Sequence, residues 1–246
     1  MHDDSLPPVT GIILAGGASR RMGRDKAFIE FEGAPLIARV IERVQPLSAE
    51  IILVANDTDA YARFGLRVVN DVFPGKGSLG GIFSGLQAAR EPYALAVACD
   101  MPFLNPALLR YLISLAPHCD VVIPRAHDPS SKTPRSSRGD KPAGDKTPRR
   151  ADQPIAKESN LHPMHAVYSK NCLPAIEARL RADDLRLIGF HDAVRVRVVE
   201  TDEVDRFDPQ HLSFFNANTP EDLATAWSLD RVVKSSMDHP TGRLYG

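Results

Sequence analysis

Apolar positions in the first half of the chain alternate between two rhythms. Val9 to Leu14 is a short, nearly continuous apolar run, the pattern of a buried strand. Pro35 then opens a stretch in which Leu36, Ile37, Val40, Ile41 and Val44 share one helical face. Ile51 to Ala55 and Leu66 to Val69 read as a second and a third strand, and Leu79, Ile82, Phe83 and Leu86 line another helix. Tyr93 to Cys99 is apolar throughout, as expected of a central strand covered on both faces. Leu108, Leu109 and Leu112 mark a further helix, and Val121 to Ile123 a fifth strand. Repeated β-α units of this kind predict a mostly parallel sheet with right-handed crossovers, in a three-layer α/β domain.

The rhythm stops at residue 126. From there to residue 160 the chain is rich in Pro, Ser, Lys, Arg and Asp, with scarcely an aliphatic residue before Ile155. Such a stretch buries too little apolar surface to offset its ordering entropy and reads as a mobile insertion. Between Arg125 and Arg150 eight basic residues face three acidic ones, a local excess of five positive charges. This composition fits a solvated loop and also a basic flap over an anionic ligand. Pattern resumes with a strand at His165 to Tyr168 and a helix from Leu173 to Leu180. Val194 to Val199 alternates Val with Arg and reads as a half-exposed strand. Thr219 fits an N-cap, Pro220 the first helical position and Asp222 a reciprocal cap, so a helix through Trp227 is expected. The whole, 1–246, reads as one domain: a ligand-binding half over 9–123, the insertion over 126–160, a second half over 161–228 and a tail over 229–246.

Composition narrows the class of function. A formal net charge of −1 provides no global field for nucleic acid or an anionic membrane. No apolar run reaches the length of about 18 residues that suggests a spanning helix. The N-terminus is acidic and polar, unlike a signal peptide. Cys99, Cys119 and Cys172 match no zinc spacing or disulfide framework, which points to a reducing, cytoplasmic setting.

Chemistry gathers where strands are predicted to end, the edge at which ligands sit in open parallel sheets. The first strand runs into Ala15-Gly16-Gly17-Ala18-Ser19-Arg20-Arg21-Met22-Gly23-Arg24-Asp25-Lys26. Glycines let backbone N–H groups approach phosphate oxygens, and Arg20, Arg21 and Lys26 can neutralise charge there. The arrangement suits a nucleoside triphosphate, although a strand-to-loop turn with a solvated basic face has the same composition. The dinucleotide fingerprint is absent because Gly16 and Gly17 are adjacent. The P-loop is absent too, since Asn70 stands where the first glycine before Gly75-Lys76 would be.

Asn56, Asp71 and Asp100 fall at other strand ends. A lone carboxylate such as Asp100 is a good Mg2+ ligand, because that ion takes few protein ligands and adds water and phosphate oxygens. The competing reading makes Asp100 the cap of the helix that follows. Asp71 is placed to accept hydrogen bonds from a base or ribose, and Lys76 to meet a phosphate; a plain glycine-rich turn from Asp71 to Gly81 is the alternative. Asn216 and Asn218 carry amides that suit a polar heterocycle, or simply turn conformations. His162 and His165 are spaced H-x-x-H without a neighbouring carboxylate in sequence, and a metal role there is not expected.

Leu14-Ala15-Gly16-Gly17 with Arg20, Arg21-Met22-Gly23 and Asp25-Lys26 resembles the signature of the molybdenum cofactor guanylyltransferases. Asp71 to Gly81, Cys99-Asp100-Met101-Pro102 and Asn216-Ala217-Asn218-Thr219-Pro220 continue the match in order. The resemblance implies a three-layer αβα Rossmann-like nucleotidylyltransferase fold. It also implies transfer of GMP from GTP to the terminal phosphate of molybdopterin, with release of pyrophosphate. By resemblance, Leu14, Ala15, Gly16, Lys26, Asn56, Asp71 and Asp100 form the GTP site. Arg20, Lys26 and Asp100 act in catalysis, Asp100 binds Mg2+, and Asn216 and Asn218 face the pterin. Transient contact with other cofactor-biosynthesis proteins and acceptor molybdoenzymes is implied as well. Ser78 stands where the family usually has proline. Related cytidylyltransferases, sugar-phosphate nucleotidylyltransferases and a catalytically silent cofactor chaperone are the competing readings. Gly16-Gly17 favours GTP by resemblance, and Arg20, Lys26 and Asp100 together favour an enzyme.

Overall fold

The computed structural model describes residues 6–15, 26–127 and 160–217, together with 222, 224, 225 and 228. In chain order its strands and helices are β1 (Val9–Leu14), β2 (Glu30–Phe31), β3 (Ala34–Pro35), α1 (Leu36–Val44), β4 (Glu50–Val54), α2 (Thr58–Ala62), β5 (Arg67–Val69), α3 (Gly77–Ala88) and β6 (Tyr93–Ala98). They continue with α4 (Pro106–Leu115), β7 (Val121–Pro124), β8 (His165–Ser169), α5 (Leu173–Arg181), β9 (Val196–Val199) and α6 (Thr201–Val204). Seven strands form one sheet in the order β5-β4-β1-β6-β8-β7-β9, and β2 and β3 make a small separate hairpin. Pairing is parallel from β5 to β6 and between β7 and β9, while β8 runs antiparallel to both its neighbours.

Alternation along the strands creates two cores. Val9 and Ile13 of β1 and Leu95 and Val97 of β6 pack with Ile37, Val40 and Val44 of α1 and Leu108, Leu109 and Leu112 of α4. Ile12, Ala94 and Ala96, from the same two strands, pack instead with Leu79, Ile82 and Leu86 of α3 and Ile176 and Leu180 of α5. This is the three-layer arrangement that the apolar rhythm predicts. Burying each large aliphatic side chain contributes about 1.5–3 kcal/mol relative to leaving it exposed. On the α3 face the approach is close. A Cβ at Gly85 would stand 2.6 Å from Ile12 Cγ2, so the helix sits on β1 only because that position has no side chain.

Two expectations need correcting. The strand at Val194–Val199 is not half-exposed, since Val196 to Val199 are all buried and Arg197 is only 7% exposed. Arg197 is sheltered because its guanidinium meets Glu203 Oε1 at 2.6 Å, and Tyr111 donates to the same oxygen at 2.7 Å. The capping reading of Asp100 also fails. Asn105 caps α4, its Oδ1 accepting from the N–H groups of Ala107 at 2.9 Å and Leu108 at 3.3 Å. The Gly16–Asp25 stretch, most of the expected insertion and the Thr219–Pro220 cap lie outside the described residues. Among the described residues no helix is long and apolar enough to cross a membrane.

Candidate active site

The strand ends of the parallel half open onto a pocket of about 630 Å³. β1 supplies Leu14 and then Ala15, β4 leads to Ala55 and Asn56, β5 to Asp71, and β6 to Cys99 and Asp100. Pairing continues one residue past the strands. The Ala15 N–H donates to the Val54 carbonyl at 3.0 Å, and the Cys99 N–H to the Leu14 carbonyl at 3.1 Å. These bonds hold the pocket floor in register with the sheet.

Lys26 enters from a 3-10 turn, Lys26–Phe28, that is anchored by aromatic packing. The Phe28 ring lies 5.0 Å from that of Tyr61 and 6.1 Å from that of Phe64. Lys26 Nζ stands 4.0 Å from Asp100 Oδ2, and their side chains are 19% and 14% exposed. Burial raises the Asp100 pKa above the ordinary carboxylate value, Lys26 partly opposes this, and Asp222 adds to the rise. The pocket thus holds a partly desolvated anion beside a cation at a separation wider than a hydrogen bond. A group brought in by a ligand can interact with both.

Asp71 has a structural duty. Its Oδ1 accepts from the Phe73 N–H at 3.0 Å and from Ser84 Oγ at 2.9 Å, which ties the loop after β5 to α3. Its Oδ2 is therefore the oxygen it offers to a ligand. Lys76 does not line the pocket. Its ammonium donates to Asp183 Oδ1 at 2.6 Å, while its neighbours Gly75, Gly77 and Ser78 form part of the wall. The expectation that Lys76 meets a phosphate is thus not met in this arrangement.

Asn216 lies outside the pocket wall, with its Nδ2 donating to the Phe214 carbonyl at 3.1 Å. The next residue connects it to the site, because the Ala217 N–H donates to the Asp100 carbonyl at 2.9 Å. The structure therefore brings together Leu14, Ala15, Lys26, Asn56, Asp71 and Asp100, with Asn216 adjacent. Gly16, Arg20 and Asn218 lie outside the described residues.

Sequence reasoning singled out neither Asp57 nor Tyr61 nor Met164, which belong to the wall. Asp57 caps the short helix α2, its Oδ1 accepting from the Ala60 N–H, and α2 is what carries Tyr61 into the wall. That Asp57-Thr58 cap was the readable signal. Met164 leads into β8 and had no local signal, since it reaches the pocket only because β8 lies beside β6. His165 is fully buried with its ring 4.7 Å from that of Phe214, and burial, with a smaller contribution from His162, pulls its pKa down to about 3. Among the described residues no group of three or more His, Cys, Asp or Glu side chains is arranged to hold a metal.

Comparison with known proteins bears on the family and the fold. The MobA-like NTP transferase domain model matches residues 11–195. A probable molybdenum cofactor guanylyltransferase of Pelotomaculum thermopropionicum is 37% identical over 96% of this chain and 97% of its own length. A molybdenum cofactor guanylyltransferase of Desulfosudis oleivorans is 34% identical over 90% and 95%. Among solved structures, molybdopterin-guanine dinucleotide biosynthesis protein A of Archaeoglobus fulgidus superposes with a TM-score of 0.70. It covers 91% of this chain and 100% of its own at 23% identity, a likeness of fold. With the family model matched over most of the chain and relatives above 30% identity along nearly all of it, the chain belongs to the MobA-like NTP transferase family.

Proposed function

We propose that this chain transfers the GMP unit of GTP to the terminal phosphate of molybdopterin, forming the guanine dinucleotide cofactor and releasing pyrophosphate. The observation that carries the reading is the Lys26–Asp100 pair at the strand ends of the sheet, in a chain 37% identical to a probable molybdenum cofactor guanylyltransferase. A phosphate oxygen of the acceptor attacks the α-phosphorus, and the bond to the bridging oxygen of pyrophosphate breaks. The attacking phosphate is already ionised near neutral pH, so no general base is required. Two anions must meet, and the protein's work is positioning and charge neutralisation.

In this reading the backbone of Leu14, Ala15 and Gly16 cradles phosphate, and Lys26 and Arg20 stabilise charge on the departing pyrophosphate. Asn56 and Asp71 Oδ2 hold the base and ribose. Asn216 and Asn218 are assigned to the acceptor by the family resemblance. Asp100 fits a Mg2+ ion, being a hard oxygen donor in a pocket without a three-residue protein cage among the described residues. When bound, the ion would supply positive charge to the phosphates. Contacts with other cofactor-biosynthesis proteins, acceptor molybdoenzymes and a cytoplasmic location belong to the same proposal. Incubation with Mg2+, molybdopterin and labelled GTP or CTP in competition tests it. Pyrophosphate release that requires both GTP and molybdopterin is the expected result. Equal turnover of CTP, or release without molybdopterin, refutes it.

A further inference from the structure

The wall of the pocket contains one loop whose shape is set from a distance. Between β5 and the first residue of α3, Gly75 and then Gly77 itself adopt φ values of +82° and +64°, a left-handed conformation that glycine reaches at little steric cost. No atom lies within 4 Å of a Cβ built on either one, so these glycines meet a backbone requirement and make no close packing contact. Up to Phe73 the loop is tied to α3 through Asp71 and Ser84, with the Val72 N–H donating to Ser84 Oγ at 2.8 Å. Between Phe73 and the start of α3, Lys76 supplies two anchors. The backbone N–H of Lys76 donates to the Phe73 carbonyl at 3.1 Å, and its ammonium to Asp183 Oδ1 at 2.6 Å.

Asp183 is 107 residues away in sequence, just past the C-terminal end of α5. Its own φ is +58°, and its N–H donates to the Leu180 carbonyl at 3.3 Å, which turns the chain off the helix. The next carboxylate, Asp184, is taken by Arg179 at 3.1 Å and Arg186 at 2.9 Å. Asp183 is thus the carboxylate presented to Lys76, at a helix C-terminus whose dipole also favours a cation. α5 shares its core with α3, so the contact is braced from both sides.

We infer that Asp183 is a positioning residue for the nucleotide. It acts through Lys76 to hold Gly75, Gly77 and Ser78 as pocket wall, and so ties the nucleotide site to the half of the chain that follows β7. This rests on the proposed use of GTP. Lys76 is then a strut that does not contact phosphate. The two roles separate in a double-mutant cycle of Lys76→Ala and Asp183→Asn. For a strut, each substitution raises KM for GTP about two- to fivefold, the scale of an exposed ion pair, and leaves kcat unchanged. The double mutant is no worse than either single one, and Lys76→Asp combined with Asp183→Lys restores much of the loss. Amide hydrogen exchange over residues 74–78 speeds up in each single mutant while thermal unfolding shifts little. If Asp183→Asn lowers KM for GTP while Lys76→Ala raises it, Lys76 is a phosphate ligand restrained by Asp183 and the strut is refuted. It is refuted as well if neither KM nor exchange changes. A wild-type chain that ignores GTP defeats the parent reading, and the exchange measurement still decides the strut.

Discussion

The two halves of the sheet treat charge in opposite ways. In the half built from β7, β8 and β9, charged side chains are closed on one another. Arg195 grips Asp120 through two side-chain bonds of 2.9 and 3.0 Å and a backbone N–H bond of 3.0 Å, with Asn171 adding a fourth donor, and Arg197 meets Glu203 at 2.6 Å. At the strand ends of β1, β4, β5 and β6, the Lys26–Asp100 pair is separated by 4.0 Å and borders a large pocket. Hydrogen bonds from Arg195 hold the Asp120 carboxyl below the ordinary carboxylate range. Burial pushes the Asp100 carboxyl above it. One region closes its charges on one another, and the other leaves a pair open at a pocket, which on the proposed function serves a ligand at some expense to folding.

The comparison is most directly broken by removing Glu203. This leaves the Arg197 charge buried without its partner, which is expected to destabilise the protein by about 3–5 kcal/mol. Urea unfolding measures it, and a loss below about 1 kcal/mol would mean that the pair behaves as a surface contact. Lys26→Ala and Asp100→Asn should show the reverse profile. Turnover of GTP is expected to fall on the order of a hundredfold to a thousandfold, with the unfolding midpoint held or slightly raised. Steady-state kinetics beside a melting curve reads both, and near-normal turnover in either mutant removes its assigned role.

Titration sharpens the contrast through opposite signs. Asp120, with its folded pKa lowered, adds stability above its unfolded pKa, and that stability is lost as pH falls through the folded value. Asp100, with its folded pKa raised, adds stability only at low pH and loses it as pH rises from the unfolded to the folded value. Asp120→Asn should therefore flatten acid unfolding, whereas Asp100→Asn should stabilise the protein modestly near neutral pH. Unfolding followed across pH in both variants checks the two signs, and a matching sign in both would collapse the distinction. The smallest expected effect is on the acid limb of kcat/KM. It should lie above the pH at which an ordinary aspartate titrates, because Asp100 must be ionised, and a limb at the ordinary value would separate Asp100 from the rate.

The alternating rhythm of the chain was enough to read the β-α units and to place the Gly16 loop, Asn56, Asp71 and Asp100 at strand ends on one edge, because both rest on local periodicity, whereas Leu14 and Ala15 as site residues came from the family resemblance. Three features were not legible for physical reasons. The direction of β8 depends on where its neighbours lie, and a five-residue apolar strand carries no mark of parallel or antiparallel pairing. The burial of Arg197 depends on Glu203 and Tyr111, so a pattern of alternating Val and Arg looks solvated until those partners are known. Lys76 invited a phosphate because it sits in a glycine-rich loop, and its partner Asp183 is too far along the chain to suggest itself. The sequence reading also passed over the hairpin of β2 and β3, which turns on Glu32 and Gly33, both at positive φ.

The reversal of β8 has one more consequence. Because it runs antiparallel to β7, the chain leaves the sheet at Arg125 and returns at Leu161, and these two residues form a bridge. The Ala126 N–H donates to the Asn160 carbonyl and the His162 N–H to the Pro124 carbonyl, both at 3.0 Å, so exit and entry are fastened side by side. Ends fastened this way set no span for the residues between them, and each doubling of a flexible connection costs only about 0.6 kcal/mol. This junction is a natural port at which length can be trimmed, or a foreign domain spliced in, with the sheet unaltered.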